Sequence, residues 1–224
     1  QTGTVASNNL FERVKKGIWV YSSEKGITRT TITGNTVRTT RYGSTPGTSI
    51  ASCIAVGGGG GGTTAITDTV ITDNNLNDCG GNGIDINTDT NPITRVTVAN
   101  NTVGNVGVEQ ANCAGGECAT QIKVQSDTDT TGVVIRGNVL TPGANTLTGV
   151  IAYGNNTMVE SNRLEGTYDI DLDENATLDG RLSGIYFGST CVRCAAVDNH
   201  LLLNQPVDVA SNDVFYGINS DGAD

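Results

Sequence analysis

The stretch Ile71-Thr-Asp-Asn74-Asn-Leu76 decides how this chain folds, because it does not stand alone. An aliphatic residue, two variable residues, Asn, one variable residue and a second aliphatic recur along the sequence. Copies lie at Val5–Leu10, Ile32–Val37, Val98–Val103, Ile135–Leu140, Val159–Leu164 and, more loosely, Ala196–Leu201. The asparagines are Asn8, Asn35, Asn74, Asn101, Asn138, Asn162 and Asn199, with successive spacings of 27, 39, 27, 37, 24 and 37 residues. Repetition at this period marks a solenoid, in which each repeat buries its apolar face only by stacking on its neighbours.

A second pattern lies inside each period. It reads Gly17-Ile-Trp-Val-Tyr21, Cys53-Ile-Ala-Val-Gly57, Gly83-Ile-Asp-Ile-Asn87 and Gln121-Ile-Lys-Val-Gln125. It continues as Gly149-Val-Ile-Ala-Tyr153, Gly184-Ile-Tyr-Phe-Gly188 and Pro206-Val-Asp-Val-Ala210. Alternation with period two predicts strands with the aliphatics inward. Each coil is then a Gly-Ile-x-Val strand, a loop, a strand, an Asn turn and a short strand. The turn needs a left-handed residue, a conformation Asn tolerates, and stacked amides can bond along the ladder. Ile32, Ile71, Val98, Ile135 and Val159 are expected to form one inward stack.

With these two motifs the chain resembles the right-handed parallel β-helix family, the pectate-lyase-like and NosD-like repeats. The resemblance covers nearly all of residues 1–224, read as one domain. It implies an all-β solenoid of about seven coils but no particular activity, because the family spans lyases, hydrolases, epimerases, tailspikes, adhesins and non-catalytic spacers.

Loops after the Asn turn alternate short and long. The long ones, Thr36–Ser52, Thr102–Thr120 and Arg163–Ser183, fall on every second coil and are expected to build a ridge along one edge. Gly57–Gly62 reads as a connector.

Composition narrows the partners. The chain has 23 acidic and 13 basic residues, a formal charge of −10, which repels duplex nucleic acid and anionic membrane surfaces. No run of about 18 apolar residues predicts membrane insertion. Six cysteines, Cys53, Cys79, Cys113, Cys118, Cys191 and Cys194, are even in number and read as disulfides of an extracellular or cell-surface protein. Cys53 with Cys79 suits a cross-coil bridge, Cys113 with Cys118 a small closed loop, and Cys191 with Cys194 a structural disulfide.

Candidate chemistry lies on the outward face of the Gly-Ile strands. In enzymes of the resembling family this face is the usual sugar groove. Trp19, Tyr21, Tyr153 and Tyr186 are the candidates to stack on sugar rings. Asp85 and Lys123, on adjacent coils, are the acid–base pair of any enzyme reading, with a cross-strand salt bridge as the plain alternative. The family's hydrolase motifs are absent: no adjacent Asp pair and no Gly-His-Gly occur, and the sole histidine, His200, follows the loosest Asn turn. Asp169, Asp171 and Asp173 alternate in the third long loop, so Ca²⁺ is the one cofactor the sequence admits, against a solvated acidic strand. Asn100, Asn155 and Asn175 stand in glycosylation sequons.

Solenoid ends expose strand edges that invite pairing. The first strand begins near Val5, Val214–Ile218 suits the start of an eighth coil, and only Phe11–Lys16 has helical character. Matching ends permit head-to-tail stacking of one chain on another. The expected function is therefore a secreted, non-catalytic structural or adhesive solenoid, a subunit of an extracellular filament whose partner is itself. The alternative is a carbohydrate-binding or polysaccharide-degrading protein acting on a surface glycan. A third reading is a phage or host-surface recognition fragment that trimerises.

Overall fold

The computed structural model describes residues 2–22, 25–41, 51–58, 65–88, 91–108, 119–126, 130–143, 146–167, 183–204 and 216–220. Three parallel sheets of seven strands run through it, and no helix occurs among these residues. Sheet one holds β1 (Val5–Ser7), β4 (Ile27–Thr33), β7 (Ile66–Thr72), β10 (Ile93–Ala99), β13 (Thr131–Arg136), β16 (Met158–Glu160) and β19 (Ala195–Val197). Sheet two holds β2 (Leu10–Val14), β5 (Thr36–Thr40), β8 (Asn75–Asn77), β11 (Thr102–Val103), β14 (Val139–Leu140), β17 (Arg163–Thr167) and β20 (His200–Asn204). Sheet three holds β3 (Ile18–Tyr21), β6 (Ile54–Gly58), β9 (Ile84–Thr88), β12 (Thr120–Ser126), β15 (Thr148–Ala152), β18 (Ser183–Phe187) and β21 (Tyr216–Ser220). Consecutive strands thus belong to different sheets, and every third strand pairs in parallel: a right-handed parallel β-helix of seven coils.

Register stacks like on like. Ala6, Ile32, Ile71, Val98, Ile135, Val159 and Ala196 form one inward row. Phe11, Val37, Leu76, Val103, Leu140, Leu164 and Leu201 form the second. Ile18, Ile54, Ile84, Ile122, Val150, Ile185 and Ile218 form the third. In the middle coils these side chains are fully buried and make one continuous core. The glycine that opens several Gly-Ile strands has a steric cause. A Cβ on Gly17 would meet the Cys53 carbonyl, and one on Gly83 the Gln121 carbonyl, each on the next coil.

Coil one departs from the sequence reading by one residue. Val5 and Leu10 are 68% and 64% exposed, and it is Ala6 and Phe11 that point inward in register with Ile32 and Val37. The ladder asparagine of this coil is therefore Asn9, not Asn8. The turn chemistry shifts likewise. The left-handed residue is the one before the ladder asparagine: Asn8, Gly34, Asp73, Asn100, Gly137, Ser161 and Asp198 all have positive φ. The ladder residue itself is selected for its buried amide.

The segment with helical character is strand β2 over Leu10–Val14. The seventh position of sheet three belongs to β21, where Ile218 pairs with Ile185, so the described end of the Val214–Ile218 segment, Tyr216–Ile218, contributes to coil seven rather than an eighth coil, and Val214 and Phe215 lie outside the described residues. Pro206–Ala210, expected there, lies outside the described residues. So does most of the ridge: β5, β11 and β17 take the first residues of the three long loops, and 42–50, 109–118 and 168–182 are not described.

Candidate functional site

An asparagine ladder runs through all seven coils. In Asn74 the Nδ2 donates to Ile32 O on the previous coil at 3.0 Å, to Thr72 O at 2.9 Å and to Asn101 Oδ1 on the next coil at 2.9 Å. Its backbone N also donates to Asn101 Oδ1, at 3.0 Å. The unit repeats from Asn9 through Asn35, Asn74, Asn101, Asn138 and Asn162 to Asn199. Buried amides are tolerable only when so satisfied.

The direction of the ladder distinguishes the two ends of the rod. Each asparagine gives its backbone N and Nδ2 to the Oδ1 of the next coil. On the last coil Asn199 carries that pair of donors, and on the first coil Asn9 carries that acceptor. The N–H of the following residue bonds back to the previous asparagine's carbonyl, as His200 does to Asn162 O and Thr36 to Asn9 O. Leu10 holds the equivalent N–H on coil one, and Asn199 the equivalent carbonyl on coil seven. Strands β1, β2 and β3 are the edges at one end of the three sheets, and β19, β20 and β21 at the other. The inward side chains of these end coils are incompletely covered: Ala6, Phe11, Ala196 and Leu201 are half-buried, and Ile218 is 50% exposed.

The outer face of sheet three does not carry one aromatic platform. Trp19 and Tyr21, on edge strand β3, are 51% and 40% exposed and tilt against each other with ring centroids 5.3 Å apart. Lys16 Nζ sits 3.1 Å from the Trp19 ring centre, a cation–π contact the sequence reading had missed. Tyr153 and Tyr186 are 7% and 2% exposed, pack edge to face at 6.3 Å and form a small cluster with Ile151. The first pair lies on edge strand β3 and the second on coils five and six, three or more strands away. Asp85 and Lys123 do face each other directly across β9 and β12, and both are buried, Lys123 to 1% exposure. A buried ammonium is stable only when paired, so this placement fits the salt-bridge alternative as well as chemistry.

Two of the disulfides are described. Cys53 bridges to Cys79 between coils two and three, and Cys191 to Cys194 in the connection from β18 to β19. Both fit an oxidising compartment. Cys113, Cys118 and the calcium candidates Asp169, Asp171 and Asp173 lie outside the described residues. Among the described residues no three His, Cys, Asp or Glu side chains converge on a common point, and no helix is long and apolar enough to cross a membrane.

A column of left-handed residues with an ion pair in it escaped the sequence reading. Gly3, Arg29, Asp68, Arg95 and Gly132 all have positive φ and stack at one position of sheet one. Arg95 donates to both Asp68 oxygens, at 2.6 and 3.0 Å, and holds that carboxyl below its ordinary pKa. Arg163 pairs with one oxygen of Glu165 at 2.7 Å and holds that carboxyl below its ordinary pKa, with His200 3.5 Å away. The signal was legible as Thr-Arg-Thr, Thr-Asp-Thr, Thr-Arg-Val and Thr-Gly-Val at Thr28, Thr67, Thr94 and Thr131.

Comparison with protein-family models, with curated proteins and with solved structures finds no match. The functional reading therefore rests on this chain's own residues.

Proposed function

We propose that this chain is a secreted, non-catalytic structural β-solenoid that stacks head to tail into an extracellular filament. The observation that carries the reading is the complementarity of the two ends. Asn199 N and Nδ2 match Asn9 Oδ1, Leu10 N–H matches the Asn199 carbonyl, and half-covered Ala196 and Leu201 stand in register with Ala6 and Phe11. A joint of this kind continues the ladder and all three apolar rows with one more coil step of about 4.8 Å. Its contact is heterologous and does not close, so it propagates. The likeness to pectate-lyase-like and NosD-like repeats belongs to this proposal and rests on the Asn-turn signature.

Sedimentation velocity of the 224-residue chain over a concentration series tests it. The expected result is growth in steps of the 23.1 kDa subunit. A single 23.1 kDa species at every concentration overturns it.

A second reading, glycan binding, has one specific observation behind it: the exposed Trp19–Tyr21 pair with Lys16 beside it. Acidic and neutral oligosaccharides that quench or shift Trp19 fluorescence at millimolar concentration would support it. No change up to that level would remove it.

A further inference from the structure

The order of the coils turns the sequence into a charge profile along the rod. Residues 1–65, which make coils one and two, hold seven of the 13 basic and two of the 23 acidic residues, a formal charge of +5. Residues 66–224 hold the other six and 21, a charge of −15, which gives the chain its −10. Because strands stack in chain order, this asymmetry is axial: one end of the rod is basic and the rest acidic. Arg13, Lys15, Arg29 and Arg38 are exposed on the first two coils. Residues 195–224, from β19 onward, hold five acidic and no basic residues, with Asp198 exposed beside the last ladder asparagine and Arg193 exposed just ahead of β19.

We infer that this axial polarity selects the partner and orientation of the two end coils: the basic first coil takes the acidic last coil of a second copy and rejects another first coil. The inference rests on the head-to-tail reading above. At 0.15 M salt the screening length is about 8 Å, well short of a rod of roughly 34 Å. Facing ends then feel each other and not the −10 of the whole molecule. Opposite ends attract, like ends repel, and the acidic flanks keep rods from bundling side by side. Steering of this kind raises association rates by about 10- to 1,000-fold.

Light scattering of the full chain at 0.1 M and 1 M NaCl tests the inference, with two single variants of equal charge change. Lys15→Glu alters the basic end, and Arg136→Glu alters an exposed site in mid-rod on β13. The expected result is assembly slowed about tenfold by high salt and several-fold by Lys15→Glu at 0.1 M, with Arg136→Glu within about twofold of wild type. Unchanged circular dichroism confirms that each variant is folded. Assembly that ignores salt, or that responds equally to both variants, overturns the charge-selected joint and leaves head-to-tail stacking standing. Absence of assembly under all conditions overturns both.

Discussion

Asn101 shows what one residue of the ladder does. Its Oδ1 accepts from Asn74 N and Nδ2, and its Nδ2 reaches Ile71 O, Ala99 O and Asn138 Oδ1. Asn101→Ala strands buried donors and acceptors on three coils at once. With about 1–3 kcal/mol for each buried group left unsatisfied, a loss of about 3 kcal/mol or more is expected in urea unfolding. A loss below about 1 kcal/mol would contradict the ladder's role. The repeat of this residue was readable because no other side chain offers both an acceptor and two donors at that length. Its place in coil one was not, because Asn8-Asn9 offers two registers and Val5 with Leu10 mimics the aliphatic pair that Ala6 and Phe11 supply. Nor did the sequence show that the left-handed turn falls one residue earlier, since Asn serves in both positions. Trp19 gives a second check at this scale. It is the only tryptophan and lies on edge strand β3, so its emission is expected to shift to the blue as subunits stack. Emission that stays constant through assembly would place the joint elsewhere.

At the scale of the strand, register makes each row its own control. Thr30 and Thr69 point into the core with no hydrogen-bond partner for Oγ1, and the same row continues as Val96 and Val133. Thr69→Val is expected to stabilise the fold by about 1 kcal/mol, because it removes a buried hydroxyl at nearly equal volume. Destabilisation in the same unfolding assay would show that the hydroxyl is satisfied. The Arg95–Asp68 pair between β7 and β10 is solvent-exposed and its effect is small but signed. A carboxyl held below its unfolded pKa adds stability above the unfolded carboxylate range and loses it as pH falls through the folded value. The stability gap between wild type and Arg95→Ala should therefore narrow on acidification at low salt. A gap independent of pH would contradict the pairing. The Cys53–Cys79 bridge, which ties residues 26 apart on adjacent coils, is expected to contribute about 3 kcal/mol. The double change Cys53→Ala with Cys79→Ala measures it. This bridge was legible from the coil order, whereas the Arg95–Asp68 pair, though its Thr-Arg-Val and Thr-Asp-Thr motifs stand in the sequence, was passed over because charged residues inside a Thr-rich strand look like ordinary solvent-facing positions.

The whole molecule was legible as a solenoid because period-two alternation and the Asn turn agree in coils two to six. Its function was less so, since a repeat that fixes the core says little about the surface. The aromatic stripe read from alternation separates into an exposed pair and a buried pair once coil position and burial are known. The axial charge profile appears only when residues are assigned to coils. Apolar rows through the first and last coils, a ladder with donors at one end and an acceptor at the other, and opposed end charges are the features on which the proposed head-to-tail stacking rests. Negative-stain electron microscopy of the native 224-residue chain across a concentration series tests that most directly. The account predicts thin unbranched fibres one solenoid wide that lengthen with concentration. Discrete particles of unchanging size, at all concentrations and at moderate salt, would contradict it.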